Sequence, residues 1–211
     1  MVAFWWVLVA GFAMLDWYAV AAHRTRVETW AKPATMVALA AAAVAMGAPD
    51  QAPGRWLVVA LVLGLAGDVL LLGDAEPRFL GGLSAFLVGH LAYVASFVAL
   101  GLARPAWAVV GALVLAAALV LGRGIIPATA RAGGVALAGP VAAYMAVIGA
   151  MVVTSWMTGR PLVGVGAAVF VASDTLLALD RFVAPRRWAH LAVMVTYHLG
   201  QVLIVVGVLS A

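Results

Sequence analysis

The sequence predicts an all-α membrane protein of eight transmembrane helices forming one domain. Three observations carry this. Of 211 residues, 67% are hydrophobic and only 9% are charged, against about 45–50% and about 25% in soluble domains. The mean hydropathy is +1.16. The apolar runs are close to the ~20 residues that a helix needs to cross a bilayer, roughly twice the length of a barrel strand. Short polar turns separate them, most of them holding a proline.

The expected spans lie at about 2–21, 31–48, 55–73, 79–100, 105–122, 133–157, 161–180 and 187–209, each near the ~20-residue crossing length. The first ends in Ala19-Val20-Ala21, which imitates a signal-peptide cleavage site. No Lys or Arg precedes it, whereas Arg24 and Arg26 follow, so a retained helix with a translocated N-terminus is expected. The second span is short and Ala-rich, with Pro33 in its first turn. Pro49, Pro53, Pro77, Pro105, Pro127, Pro161 and Pro185 fall in connections. Pro140 lies inside the sixth span and predicts a kink there. Gly81-Gly82 and Gly133-Gly134 read as places where helices pack closely.

Orientation follows from the basic residues. The odd-numbered loops hold nine (Arg24, Arg26, Lys32, Arg78, Arg123, Arg131, Arg181, Arg186 and Arg187) and the even-numbered loops hold three (Arg55, Arg104 and Arg160). The positive-inside rule then places the odd loops in the cytoplasm and both termini outside it. Richness in Ala, Val and Arg fits a GC-rich bacterial genome, so the expected location is a bacterial inner membrane. The basic residues are scattered over loop ends and read as topology signals and contacts to anionic lipid, not to nucleic acid.

A short internal echo stands out. GDVLLLGD at 67–74 returns as SDTLLALD at 173–180, so both aspartate pairs repeat at an offset of 106 residues. Pro33 and Pro140 repeat at 107. Four spans per half would give a parallel 4+4 repeat with half-repeats 1–104 and 105–211.

Asp68 and Asp174 are the leading candidates for chemistry. An ionised Asp inside a bilayer costs roughly 2.5–3.5 kcal/mol on insertion scales, which marks it for function over packing. The two are expected at equal depth in the cytoplasmic half, facing one cavity as a coupled pair, one carrying a proton. Asp74 and Asp180 follow at the membrane surface, where a solvated helix end is the plain alternative. Asp16 lies near the inner end of the first span. His90 shares a helix face with Phe86 and Gly82, and Tyr93 follows three residues on. Tyr197 and Gln201 share another face and present a hydroxyl and an amide, for a ligand or for a neighbouring helix. Lys32 stands at the inner mouth, where it holds a phosphate or simply snorkels. His198 is a weaker candidate, and His23 and His190 read as structural.

Several chemistries are excluded. There is no cysteine, hence no disulfide, thiol nucleophile or cysteine-ligated metal. The chain has no HExxH, no histidines three or four apart, no G-x-S-x-G elbow and no Walker loop. A metal on His90, His198 and the aspartates is disfavoured by spacing, and no metal or cofactor is expected.

Lys32-Pro33, Gly67-Asp68, the series Phe79, Gly82, Phe86, His90 and Tyr93, then Ser173-Asp174, Leu177-Ala178, Pro185, and Tyr197, Gly200-Gln201 and Leu203-Ile204 together resemble the YhhN family, which includes the animal TMEM86 lysoplasmalogenases. The resemblance runs from Lys32 to Ile204; His198 is not part of it. It implies an eight-span hydrolase acting on a lysophospholipid, cleaving the sn-1 vinyl ether of lysoplasmalogens to a fatty aldehyde and a glycerophospho-base. Such a hydrolysis needs an acid to protonate carbon and a carboxylate to stabilise the cation and direct water, much as in acetal cleavage. Asp68 and Asp174 would supply these with His90; Lys32, Tyr93, Tyr197, Gln201, Asp74 and Asp180 would bind substrate. A transporter or receptor for lipids or small molecules, with proton-coupling carboxylates, is the alternative from another class. A metal-dependent membrane hydrolase is a third.

Overall fold

The computed structural model describes residues 1–73 and 75–210; Asp74 lies outside the described residues. Among these the chain forms eight α-helices and no strand: α1 (Val2–Ala21), α2 (Thr25–Ala45), α3 (Ala52–Leu71), α4 (Glu76–Leu100), α5 (Ala108–Leu121), α6 (Ile125–Met157), α7 (Pro161–Ala178) and α8 (Ala189–Leu209). Six are long and apolar enough to cross a membrane, namely α1, α3, α4, α6, α7 with its extension, and α8. The other two differ for separate reasons. α5 has 14 residues, about 21 Å at the helical rise, short of the ~30 Å hydrocarbon core. α2 carries Arg26, Glu28 and Lys32 in its first half.

Polar and apolar residues are distributed as in a membrane protein. Asp16, Lys32, Asp68, His90, His198 and Gln201 are buried, while Val37, Val62, Val98, Leu113, Val120 and Leu121 are exposed. A soluble protein places these classes the other way round. In a bilayer the exposed valines and leucines meet lipid and the polar groups turn to protein.

The chain divides into two compact units. The first holds residues 1–100 and the last turns of α8 from Val205; the second holds Gly101–Ile204. In the first, α3 and α4 form a closely packed antiparallel hairpin. Its register is set at one end by Ser96, whose hydroxyl donates to the Pro53 carbonyl at 2.8 Å. At the other end Gly67 and Gly82 bring the helices together. A Cβ on Gly67 would lie 2.5 Å from the Phe86 ring, and one on Gly82 would lie 2.8 Å from Leu71. Small residues at such crossings let membrane helices approach closely. In the second unit Gly111 seats α5 on the α6 backbone at Val153, and Gly166 and Gly200 seat α7 and α8 on each other.

Several expectations are corrected. α2 begins at Thr25, not near residue 31, so Pro33 sits inside the helix and not in its first turn. The charged residues of its opening turns are good helix formers, which a count of apolar residues overlooks. α6 begins at Ile125, and its break falls at Gly133 (φ −144°, ψ 20°) and Gly134 (φ 60°, ψ −154°), not at Pro140. Gly133-Gly134 is therefore a helix break and not a packing contact. Among the described residues nothing outside its own backbone surroundings lies within 4 Å of where a Gly134 side chain would begin, and its backbone occupies a region open almost solely to glycine.

Candidate active site

Asp68 lies three residues before the end of α3, about 4.5 Å along the axis. Helical geometry turns successive residues by about 100°, so Gly67 and Asp68 face different neighbours. Gly67 faces α4 at Phe86, and Asp68 faces α2. There Lys32 Nζ stands 3.0 Å from Asp68 Oδ1, with side-chain exposures of 9% and 1%. Lys32 is thus not a free lysine at the mouth of the helix. It lies seven residues into α2, about 10 Å from its start, in a buried ion pair. Asp16, five residues before the end of α1, is fully buried as well.

The end of α3 is fixed from the far side of the turn. Arg78 reaches back from α4, its Nη2 donating to the Val69 carbonyl at 3.0 Å and its Nε to Leu70 at 3.3 Å. A cation at a helix C-terminus satisfies orphan carbonyls and complements the helix dipole. Arg78, which the sequence offers as a topology signal, thereby anchors the turn that follows Asp68.

His90 is buried near the middle of α4. Its Nδ1 is 2.6 Å from the carbonyl oxygen of Phe86. A carbonyl only accepts, so Nδ1 carries the hydrogen and, in the neutral ring, Nε2 carries the lone pair. The ring lies between Phe86 and Tyr93, at centroid separations of 6.5 and 6.3 Å. Tyr93 in turn stacks on Phe97 at 6.1 Å. On the face read from the sequence, Phe86, His90 and Tyr93 continue into Phe97 as a column of rings.

In the second unit the echo is built the same way. Ser173 faces α8, its hydroxyl donating to the Val193 carbonyl at 3.0 Å. Asp174 faces α6, where the Tyr144 hydroxyl donates to its Oδ2. Asp174 is half-buried, unlike the fully buried Asp68. Tyr144 was missed in the sequence; its only signal is its place four residues after Pro140 on the span preceding Asp174. Tyr197, His198 and Gln201 are buried on α8. Tyr197 meets Phe170 edge to face at 5.4 Å and lies equally close to the His198 ring. Asp180 sits in a π-helical turn, Leu179–Val183, that extends α7, and its Oδ1 accepts the Arg186 backbone N–H. His23 and His190 are exposed. Among the described residues no three His, Asp or Glu side chains cluster so as to hold a metal ion.

The first unit offers an ion-paired carboxylate and a buried imidazole, and the second a carboxyl group held by a phenol. All are set in helices whose outer surfaces are apolar. Comparison with known proteins bears on what that set is for. The lysoplasmalogenase of Mycobacterium bovis is 34% identical over 184 residues, covering 83% of this chain and 68% of that protein. Human Lysoplasmalogenase TMEM86B is 34% identical over 153 residues, 72% of this chain and 62% of that protein. Bovine Lysoplasmalogenase TMEM86A is 27% identical over 165 residues, 74% of this chain and 65% of that protein. No solved structure matches the chain. The YhhN family matches residues 27–208, a span that includes Lys32, Asp68, His90, Tyr144 and Asp174 alike, and the chain belongs to that family.

Proposed function

We propose that this protein is a membrane hydrolase that cleaves the vinyl ether bond of lysoplasmalogens, releasing a fatty aldehyde and a glycerophospho-base. The observation that carries the reading is the pair of aspartates, each held by a polar side chain from the preceding helix, in a chain whose relatives are named lysoplasmalogenases. A carboxyl group placed in apolar helices at this cost is a functional group by default.

The chemistry suits two carboxyls of unlike state. One, as an acid, protonates the β-carbon of the vinyl ether; the C=C bond becomes a C–H bond and an oxocarbenium ion. The other, as a carboxylate, stabilises that cation and takes a proton from the attacking water. The resulting hemiacetal collapses as this second group returns its proton to the departing glycerol oxygen and the first takes the hemiacetal hydroxyl proton. Both carboxyls then stand as they began, and substrate plus water has become aldehyde plus alcohol. General acid–base steps of this kind are worth about 10²–10⁴-fold each. His90 joins them as a hydrogen-bonding partner whose Nδ1–H fixes its tautomer. Tyr93, Tyr197, Gln201 and Asp180 serve binding. All eight helices cross the bilayer in this reading, α2 by burying Lys32 against Asp68 and α5 as a short span.

The test is aldehyde release from lysoplasmenylethanolamine by the purified protein. Asp68→Asn and Asp174→Asn should each lower turnover by about 100-fold or more, with little change in yield. The double variant should be scarcely worse than the worse single one, because groups acting as a unit are non-additive. Near-normal turnover in either single variant refutes the assignment, and a wild-type protein that moves the lipid without releasing aldehyde refutes the hydrolase.

A further inference from the structure

The sequence makes Lys32 a candidate ligand for the substrate phosphate. Its surroundings say otherwise. The ammonium lies 3.0 Å from Asp68 Oδ1, and both side chains are at least nine-tenths buried. A phosphate drawing the ammonium away would leave the Asp68 charge buried without its cation, an expensive state in a low-dielectric interior. The backbone that carries each half of the pair is also fixed. On the α3 side, Arg78 clamps the Val69 and Leu70 carbonyls directly after Asp68. On the α2 side, the Thr35 hydroxyl donates to the Ala31 carbonyl at 2.9 Å, bracketing Lys32-Pro33, where proline supplies no N–H of its own.

We propose that Lys32 is a positioning residue for Asp68, holding it as the ionised carboxylate that receives the cation and directs water. Proton donation to carbon then falls to Asp174. The partner of Asp174 is the neutral hydroxyl of Tyr144, which bonds one carboxyl oxygen whether or not the other carries hydrogen. The two aspartates of the echo thus take different parts, set by what the preceding helix offers each. This rests on the lysoplasmalogenase reading and deepens it.

The experiment compares Lys32→Met and Lys32→Arg on two substrates with the same vinyl ether, lysoplasmenylethanolamine and a 1-alkenylglycerol that has no phosphate. A positioning lysine acts on the carboxylate, so Lys32→Met should lower kcat by about 100-fold on both, the scale of a lost general acid–base group. KM should stay within about threefold, and Lys32→Arg should recover most of the rate, since a guanidinium also pairs with carboxylate. A Lys32→Met enzyme with a raised KM for the phospholipid, unchanged kcat and normal handling of the alkenylglycerol overturns the proposal and makes Lys32 a phosphate ligand. Because Lys32→Met leaves a buried charge and can unfold the protein, the pair is also read in the Asp68→Asn background. There Lys32→Met should cost less than about threefold further in kcat on the phospholipid, because groups acting as a unit are non-additive; a full additional 100-fold overturns the proposal. A folded wild-type protein that cleaves neither substrate fails the lysoplasmalogenase reading itself, and the proposal falls with it.

Discussion

Tyr144→Phe is the sharpest probe of the second unit, since it deletes one oxygen and keeps the ring. That oxygen donates to Asp174 Oδ2. A hydrogen bond to a charged partner contributes about 1.5–3 kcal/mol, equivalent to roughly 10- to 150-fold in rate if the whole of it is realised in the transition state. The proposed roles say that about half of it is. In those roles Asp174 begins as a neutral acid and becomes a carboxylate as its proton passes to carbon. The Tyr144 bond is neutral–neutral at the start and charge-assisted at the end, and charge-assisted bonds are about twice as strong. The variant should therefore lose kcat by roughly 3- to 13-fold at saturating substrate, with KM nearly unchanged, when aldehyde release is followed. Its thermal midpoint should fall only slightly, because the bond it loses in the resting enzyme is the weaker form. Unchanged kcat with a clearly lowered midpoint would refute the reasoning: Tyr144 would then be a packing residue that joins α6 to α7.

Two other outcomes are expected. Gly67→Ala places a methyl group 2.5 Å from the Phe86 ring, where overpacking costs about 1–3 kcal/mol; the thermal midpoint should drop, and turnover should fall with it because Phe86 carries the carbonyl that holds His90, whereas a neutral result would mean that α3 and α4 are free to separate. Both termini should lie outside the cytoplasm, as nine basic residues against three imply, so a periplasmic phosphatase fused after Ala211 should be active, and an inactive one would reverse the orientation.

Much of the architecture was legible because long apolar runs have few alternatives to helix in a membrane protein. Span limits failed where charge entered a helix. Arg26 and Glu28 look like a loop to a hydropathy count, yet they form the first turns of α2, and Lys32 is buried in an ion pair with Asp68. The break in α6 was assigned to Pro140 on the rule that proline kinks helices. In the structure it belongs to Gly133 and Gly134, and the freedom of Gly134 at positive φ does not show in composition. The aspartates could be found because a charge in an apolar run is conspicuous. Their partners could not, since a pairing between α2 and α3 or between α6 and α7 depends on rotation about two helix axes. Tyr144 is one of four tyrosines, and apart from Pro140 four residues before it nothing local marks it.

The echo gains its meaning from those partners. In each copy the dipeptide that opens it, Gly67-Asp68 or Ser173-Asp174, sits between two helices of its own unit. The first residue meets the following helix, at Phe86 or at Val193. The second meets the preceding one, at Lys32 or at Tyr144. A turn of about 100° between neighbouring residues makes this two-sided contact a property of any small–Asp pair wedged in such a bundle. Two equivalent carboxyls would serve vinyl ether hydrolysis poorly, because the reaction asks for an acid and a base at once. The backbone pattern repeats while the partner changes from an ammonium to a phenol. That difference makes the two groups unequal, since one carboxyl stands against an ammonium and the other against a neutral hydroxyl. On this view Lys32 and Tyr144 turn a repeated motif into two different reagents, and exchanging the partners should disable the enzyme even with both aspartates in place.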